Sequence, residues 1–306
     1  MRVLVTGAAG FIGLNVVEAL ISAGHEAIGL DRAAPPPGFR PFPFMQADIG
    51  EVQLAFGKHR PDAVVHAAAL TPGRANERRR IADAVEVNIA GTVRLMEAAA
   101  NAGCRRVLFI SSAAVYGASG VGKAALDEET TLPAPVSLYG ITKLAAERLA
   151  LRYRDLAQID VVAARLAAAF GPWEAENEAR DTPSPFYQAA RLARRGEEAV
   201  LPRRSSLDWI YSREAAATLV ALLTAHRAGV FNVGPRAPYD FERFCAALAK
   251  RYPKFRWRTG TPANVDLYGP ADRGRLSIER LEALGFARRF DEAAAYTEYL
   301  DWLDTR

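Results

Sequence analysis

Three glycines at three-residue spacing constrain this chain more than any other feature: Gly7, Gly10 and Gly13 in Thr6-Gly7-Ala8-Ala9-Gly10-Phe11-Ile12-Gly13. They follow a short apolar run at 3–5 and precede a helical apolar pattern at 11–23. Glycine permits the tight turn there and lets backbone N–H groups approach an anion at the start of the helix. Glycine triplets punctuate many loops. One placed between a strand and a helix begins a β-α-β unit and predicts a seat for a dinucleotide pyrophosphate. The expected lining is Gly7, Gly10, Phe11, Ile12 and Gly13.

The rhythm continues downstream. Strand patterns at 27–31, 43–46, 63–65, 106–110 and 161–164 alternate with helical patterns at 82–102 and 138–156. Strands alternating with helices imply an α/β fold, a doubly wound parallel sheet covered on both faces. After Gly171-Pro172 an acidic, proline-containing stretch at 173–185 reads as a loop or lid, and 186–195 as a helix. Further strands are expected at 207–211 and 230–233, then a mostly helical tail from 241 with loops at Pro253 and Pro270. The predicted division is a dinucleotide-binding domain at 1–169, rejoined by 207–234, and a smaller C-terminal substrate-binding cap at 170–206 and 235–306. A chain of 306 residues, 50% apolar, buries sizeable cores without staples.

Composition narrows the partners. Cys104 and Cys245 lie far apart with no C-x-x-C pair, and four histidines (His25, His59, His66, His226) are scattered. No metal site or disulfide framework is expected, and the cysteines read as free thiols in a reducing cytoplasm. The net charge of +4 comes with short arginine groups at 78–80, 194–195, 203–204 and 288–289. No aromatics interleave them, so they read as solvated faces and no nucleic-acid partner is expected. The longest apolar run, 215–225, contains Thr218 and Thr224. It is far short of the ~20 residues that span a bilayer. No leader pattern precedes the first strand, so a cytoplasmic protein with no membrane partner is expected.

Asp31 closes the second strand, where a carboxylate can bond both hydroxyls of an adenosine ribose. It repels a 2′-phosphate, which favours NAD over NADP. Arg32 follows and can pair with such a phosphate or stack on adenine. Asp48-Ile49 follows the third strand, where a carboxylate can bond the adenine amine; taken alone, Asp48 reads equally as a helix cap.

Tyr139-Gly140-Ile141-Thr142-Lys143 places Tyr139 and Lys143 at i and i+4, one face of a helix. A phenol with a pKa near 10 is a poor base at neutral pH, and a nearby ammonium lowers that value. The pair can then exchange a proton with an alcohol or carbonyl oxygen. The fifth strand ends in Ser111-Ser112-Ala113-Ala114-Val115-Tyr116-Gly117. A hydroxyl at a parallel strand's C-terminal end lies where open α/β sheets bind ligands, so Ser112 can hold the same substrate oxygen.

These segments together resemble the extended short-chain dehydrogenase/reductases, in particular the NAD-dependent epimerase/dehydratase group. The similarity covers nearly the whole chain. It also includes His66-Ala67-Ala68-Ala69, Asn88-Ile89-Ala90-Gly91-Thr92, 165–172, Asp208-Trp209-Ile210-Tyr211 and Leu284-Gly285-Phe286. The resemblance implies a Rossmann-type sheet, catalytic Ser112, Tyr139 and Lys143, Asn88 beside the cofactor, and Ala67, Ala68 and Ala69 lining the nicotinamide side. It also implies a homodimer in which the helices at 88–102 and 139–156 pair with their copies.

The departures are informative. Ala113 and Ala114 stand where the family's sugar-nucleotide dehydratases carry acids, so no carboxylate is in place for an elimination. Ala168 and Leu207 replace the Asn and Arg that help many members hold the nucleotide. The expected reaction is therefore NAD-dependent hydride transfer, as a dehydrogenase or an epimerase, at a secondary alcohol or ketone of a sugar or sugar-acid-like substrate. Its expected contacts are Thr71, Ser112, Ala113, Trp173, Arg203 and Arg204, with an arginine of 203–204 pairing with a substrate carboxylate. The alternatives are a nucleotide-sugar 4-epimerase and, in another class, a non-catalytic dinucleotide sensor or scaffold.

Overall fold

The computed structural model describes residues 1–225, 227–269, 271–286 and 290–306, so His226, Pro270 and the Arg288-Arg289 pair lie outside the described residues. The chain begins with β1 (Arg2–Thr6), α1 (Phe11–Ser22), β2 (Glu26–Asp31), β3 (Phe44–Gln46), α2 (Val52–His59) and β4 (Ala63–His66). It continues through α3 (Ile81–Ala84), a π-helical turn (Val85–Ala90), α4 (Gly91–Asn101), β5 (Arg106–Ser112), the short β6 (Ala125–Leu126), α5 (Leu138–Ala157) and β7 (Asp160–Leu166). The second half adds β8 (Ala169–Phe170), α6 (Pro185–Arg195), β9 (Glu198–Leu201), β10 (Ile210–Tyr211), α7 (Ser212–Thr224) and β11 (Gly229–Val233). The tail holds α8 (Phe241–Arg251), β12 (Arg256–Thr259), β13 (Arg275–Leu276), α9 (Glu279–Glu282) and α10 (Glu292–Asp304).

Seven strands form one sheet in the order β3-β2-β1-β4-β5-β7-β11, with every pairing parallel. Helices cover both faces, which is why the strands are continuous apolar runs instead of alternating ones. On one face Val3, Val5, Val65 and Leu108 meet Val16 of α1 and Leu219 of α7. On the other, Leu4, Ile28, Val64 and Phe109 meet Leu95 and Met96 of α4 and Ala146 and Ala150 of α5. This is the doubly wound sheet that the sequence predicts. Its strand order reverses between β1 and β4, and ligands bind such sheets in the crevice at that switch.

A separate core gathers Phe170, Phe186, Trp209, Tyr239, Phe244 and Tyr299 from the second half, with the rings of Phe170 and Phe186 stacked 3.9 Å apart. Three local expectations change. The helix expected at 82–102 is interrupted by the π turn. The strand expected at 207–211 shrinks to Ile210–Tyr211, because the chain bends at Leu207, whose carbonyl accepts from Trp209 N–H. The tail is less helical than its composition implies. Its β13 pairs with β6, and Leu276, Ile278 and Leu281 join the core under the sheet instead of the cap.

Candidate active site

The glycine loop is built as a cradle. Gly7 has φ +69°, and a Cβ there would lie 2.6 Å from Ala68 N. A Cβ on Gly13 would lie 1.9 Å from Gly7 O, so α1 and the turn approach as only glycine allows. Gly10 caps α1 with no side-chain bond, and the first turn carries no acid. Its N–H groups are thus free of a side-chain acceptor, and that suits an anion such as a pyrophosphate.

Asp31 ends β2, its two oxygens accepting from Ala9 N–H at 3.0 Å and Ala33 N–H at 2.9 Å. Two acceptor sites per oxygen leave lone pairs for a diol. With Arg32, Asp48, Ile49 and Ala67 to Ala69 it lines a cavity of about 370 Å³. Asp48 also serves as a helix cap, accepting from Gly50 N–H at 2.8 Å in a capping box with Glu51. Arg32 reaches out to Glu178 at 3.3 Å. Together the uncapped helix, the carboxylate at the strand end and the adjoining cavity fit an adenine dinucleotide.

A larger cavity of about 700 Å³ continues from the glycine loop. Ser112, Tyr139 and Lys143 all line it, beside Gly7, Phe11 and Ile12. Ser112 sits at the end of β5, its Oγ accepting from Ala114 N–H at 3.1 Å and hydrogen-bonded with Tyr139. Ser137 caps α5 by accepting from Gly140 N–H at 3.0 Å, which fixes the helix start one residue before Tyr139. Lys143 is buried, with Nζ 4.4 Å from the centre of the Phe109 ring. Burial pulls its pKa down to about 7, and Glu147 opposes that fall.

The electrostatics differ from expectation in one respect. Burial pushes the Tyr139 phenol above its usual value; its bond with Ser112 and the charge of Arg180 only partly offset this. The cation that acts on the phenol is thus Arg180, while burial disfavours the charge of Lys143 itself.

Thr71 and Ala113 line the large cavity as expected, and Ala67 and Ala69 line both cavities. Asn88 lines neither. It is buried, with Oδ1 accepting from Leu70 N–H at 2.7 Å and Nδ2 donating to Thr142 Oγ1 at 2.9 Å. Trp173, Arg203 and Arg204 do not line the cavities either. Trp173 packs on Phe39, Trp302 and Arg306, joining the loop after β2 to α10 and the C-terminal residue. Arg203 is taken by Asp272 at 2.7 Å, and the Arg204 side chain is 84% exposed near Glu242. The arginines that do line the large cavity are Arg74, Arg180 and Arg273. Arg180 was legible as the lone base of an acidic stretch, but its destination was not.

Among the described residues, no helix is long and apolar enough to cross a membrane.

Comparison with known proteins agrees with this geometry. The family model described as "NAD dependent epimerase/dehydratase family" matches residues 3–234. UDP-glucose 4-epimerase of Mycolicibacterium smegmatis is 34% identical over 186 residues, 56% of this chain and 57% of the relative. The chain matches a little over half the length of such curated relatives. Among solved structures, Thermus thermophilus UDP-glucose 4-epimerase in complex with NAD has a TM-score of 0.82 at 27% identity, covering 99% of both chains. MoeE5 in complex with UDP-glucose and NAD has a TM-score of 0.81 at 27% identity, covering 100% of this chain and 99% of that one.

Proposed function

The chain belongs to the NAD-dependent epimerase/dehydratase family, and from that premise we propose that it is an enzyme that binds NAD and transfers a hydride at a secondary alcohol or ketone of a sugar or sugar-acid-like substrate. One observation carries the reading: a single cavity is lined both by the glycine loop and by Ser112, Tyr139 and Lys143. A sensor has no use for a proton-transfer group placed against its cofactor seat.

Bound NAD supplies a carbon that accepts a hydride and can return it. The chain's residues handle the rest. Ser112 orients the substrate oxygen through its hydroxyl. Tyr139 takes the hydroxyl proton as the carbon loses hydride, and gives it back in the reverse direction. Lys143 holds the nicotinamide ribose and adds positive charge near the phenol once the site is filled. If the keto product leaves, the enzyme is a dehydrogenase. If it turns over within the cavity and recovers the hydride, the enzyme is an epimerase.

Asp31 favours NAD over NADP. Ile81, Val85, Ile141 and Leu149 are exposed apolar residues on the α3-to-α5 side of the sheet, which supports a homodimer across those helices. Cys104 and Cys245 are free and buried, which suits a reducing cytoplasm.

The second reading, a nucleotide-sugar 4-epimerase, is favoured by the UDP-glucose named with the solved relative. Ala168 and Leu207 weigh against it, as does the engagement of Arg203 and Arg273 with Asp272 and Asp208. The test is absorbance of the purified protein for bound dinucleotide, then a panel of free sugars, sugar acids and nucleotide sugars followed at the reduced-nicotinamide band. Turnover of some sugar is expected. Dinucleotide binding with no turnover across the panel would point to the sensor.

A further inference from the structure

Residues 171–184 run along the large cavity as a strap, with Asn177, Ala179, Arg180 and Thr182 in its lining. Thr71 N–H donates to Ala179 O at 2.7 Å, and Asp181 accepts from Gly73 N–H at 2.9 Å and Asn76 Nδ2 at 3.0 Å. This pinning carries Arg180 into the cavity that Tyr139 lines. Its guanidinium lies 5.3 Å from the centre of the Phe11 ring in the glycine loop.

The back of that guanidinium is fixed. Nη2 donates to Glu174 at 2.8 Å and to Tyr268 OH at 3.0 Å. Glu174 is itself buried and held by Ser184 N–H at 2.6 Å, so the mount is rigid. Both side-chain hydrogen bonds of Arg180 run through Nη2, and its buried Nε has no partner among the described residues. Both Nη2 hydrogens are spent on this mount, so Nη1, on a charge held in place, is the donor left for an acceptor in the cavity.

We infer that Arg180 is a specificity-determining residue that receives a carboxylate carried by the substrate close to its reacting carbon. The inference rests on the hydride-transfer reading and narrows its substrate class to sugar acids and related hydroxy acids. A diphosphate needs several free cations. Of the other arginines nearby, Arg273 is 2.7 Å from Asp208 and Arg203 is 2.7 Å from Asp272, which leaves Arg74 as the one lining arginine with no ion pair among the described residues. Arg180 is the cation held beside the proton-transfer group, which suits a single carboxylate next to the reacting carbon. That Arg180 also acts on the Tyr139 phenol places it near the proton-transfer group.

The experiment compares sugars that differ only in the charged group: glucuronate with glucose, galacturonate with galactose, and UDP-glucuronate with UDP-glucose. Each pair is measured with the unmodified protein, Arg180→Ala and Arg180→Lys, for kcat and KM. Calorimetry adds the Kd for NAD and the Kd for glucuronate and galacturonate on NADH-loaded protein, where no hydride can leave the alcohol. A hydrogen bond to a charged group is worth about 1.5–3 kcal/mol, roughly 10- to 100-fold. The carboxylated member should lose at least tenfold more kcat/KM than its uncharged counterpart in Arg180→Ala. NAD affinity should hold, and Arg180→Lys should recover part of the loss, because a lysine keeps the charge without the guanidinium's mount.

Equal losses for both members of every pair overturn the inference, as does a loss confined to NAD affinity. So does the absence of Arg180-dependent acid binding and turnover in the whole panel. If Arg180→Ala does not fold, the Arg180→Lys split between the members decides. Turnover of uncharged sugars alone defeats this inference and leaves the hydride reading standing. Arg180-dependent acid binding with no turnover does the reverse.

Discussion

Asn88 Nδ2 donates to Thr142 Oγ1 across 2.9 Å and so ties the π-helical turn to the helix that carries Tyr139 and Lys143. The same amide brackets Leu70, donating to its carbonyl at 2.9 Å and accepting from its N–H at 2.7 Å. Thr142 passes its own proton to Tyr139 O at 3.0 Å. One buried side chain therefore fixes the loop after β4, which lines both cavities, relative to Tyr139. The extra residue of a π turn is a common device at functional sites, because it redirects one side chain without ending the helix.

Cofactor choice should follow Asp31. Its carboxylate ends β2 beside the smaller cavity, where a 2′-phosphate would meet like charge. Calorimetry should find NAD bound more tightly than NADP, and Asp31→Ala should narrow the gap from both sides. NADP binding as tightly as NAD in the unmodified protein would contradict the assignment.

The chemistry should separate from binding. Tyr139→Phe removes one oxygen and should lower turnover by about two to four orders of magnitude, the share of a positioned acid/base, while NAD affinity stays close to normal. Lys143→Ala should weaken both. Steady-state rates and NAD titrations on the two variants make the comparison; near-normal turnover in Tyr139→Phe would assign the proton to another group.

Much of this site was legible because its signals are local. The glycine turn, the i, i+4 pair of Tyr139 and Lys143 and the hydroxyl closing β5 are each set within a few residues, and the sheet then brings them together. The rest depends on distant partners. Arg203 offers a free guanidinium on paper, yet Asp272 takes it from 69 positions away. Arg180 reaches the cavity only because the strap pairs with Thr71, 109 positions earlier. The π turn was illegible for another reason: Val85 to Ala90 keeps an ordinary helical composition, and the shift is imposed by burying Asn88 against Leu70 and α5.

Acid should weaken the fold through His66. Burial pulls its pKa from 6.5 down to about 3, and the neutral ring is held between Thr6 Oγ1 at 2.6 Å and Thr92 Oγ1 at 2.9 Å. Between those two values the unfolded chain binds the proton and the folded chain does not. Stability from this residue is thus complete above about pH 6.5 and declines as the pH falls toward 3. Denaturant melts from pH 7 to pH 4 should show that decline, and His66→Gln should flatten the slope. An unchanged slope would remove His66 from the account.

Assembly should depend on the outer face of α3 to α5. Ile141 is 50% exposed and Leu149 38% exposed there, with Ile81 and Val85 alongside. Light scattering at micromolar concentration should give twice the chain mass of 33.2 kDa. Leu149→Glu would bury a charge at the two-fold interface and should shift the mass toward the monomer. A monomer mass for the unmodified protein would rule the dimer out.

The last prediction concerns the ion pair next to Lys143. Arg165 donates to Glu147 through Nε at 3.1 Å and Nη2 at 2.7 Å, and both side chains are at most 2% exposed. Ser111 Oγ adds a donor to the same carboxylate at 2.6 Å, and Arg165 Nη1 reaches Tyr116 OH at 3.0 Å. Arg165→Met leaves Glu147 buried without its cation and should cost about 3–5 kcal/mol. Replacing both, as Arg165→Met with Glu147→Leu, should recover much of that loss, although Ser111 then keeps an unmet donor worth roughly 1 kcal/mol. Glu147 also supports the charge on Lys143. Glu147→Gln should therefore move the deprotonation of Lys143 below its value of about 7, so NAD affinity should begin to fall at a lower pH than in the unmodified protein. Melts of the single and double variants test the first half, and NAD titrations from pH 6 to 9 test the second. A double variant no more stable than Arg165→Met, or a pH profile that does not move in Glu147→Gln, would show that the pair acts on neither the fold nor the lysine as described.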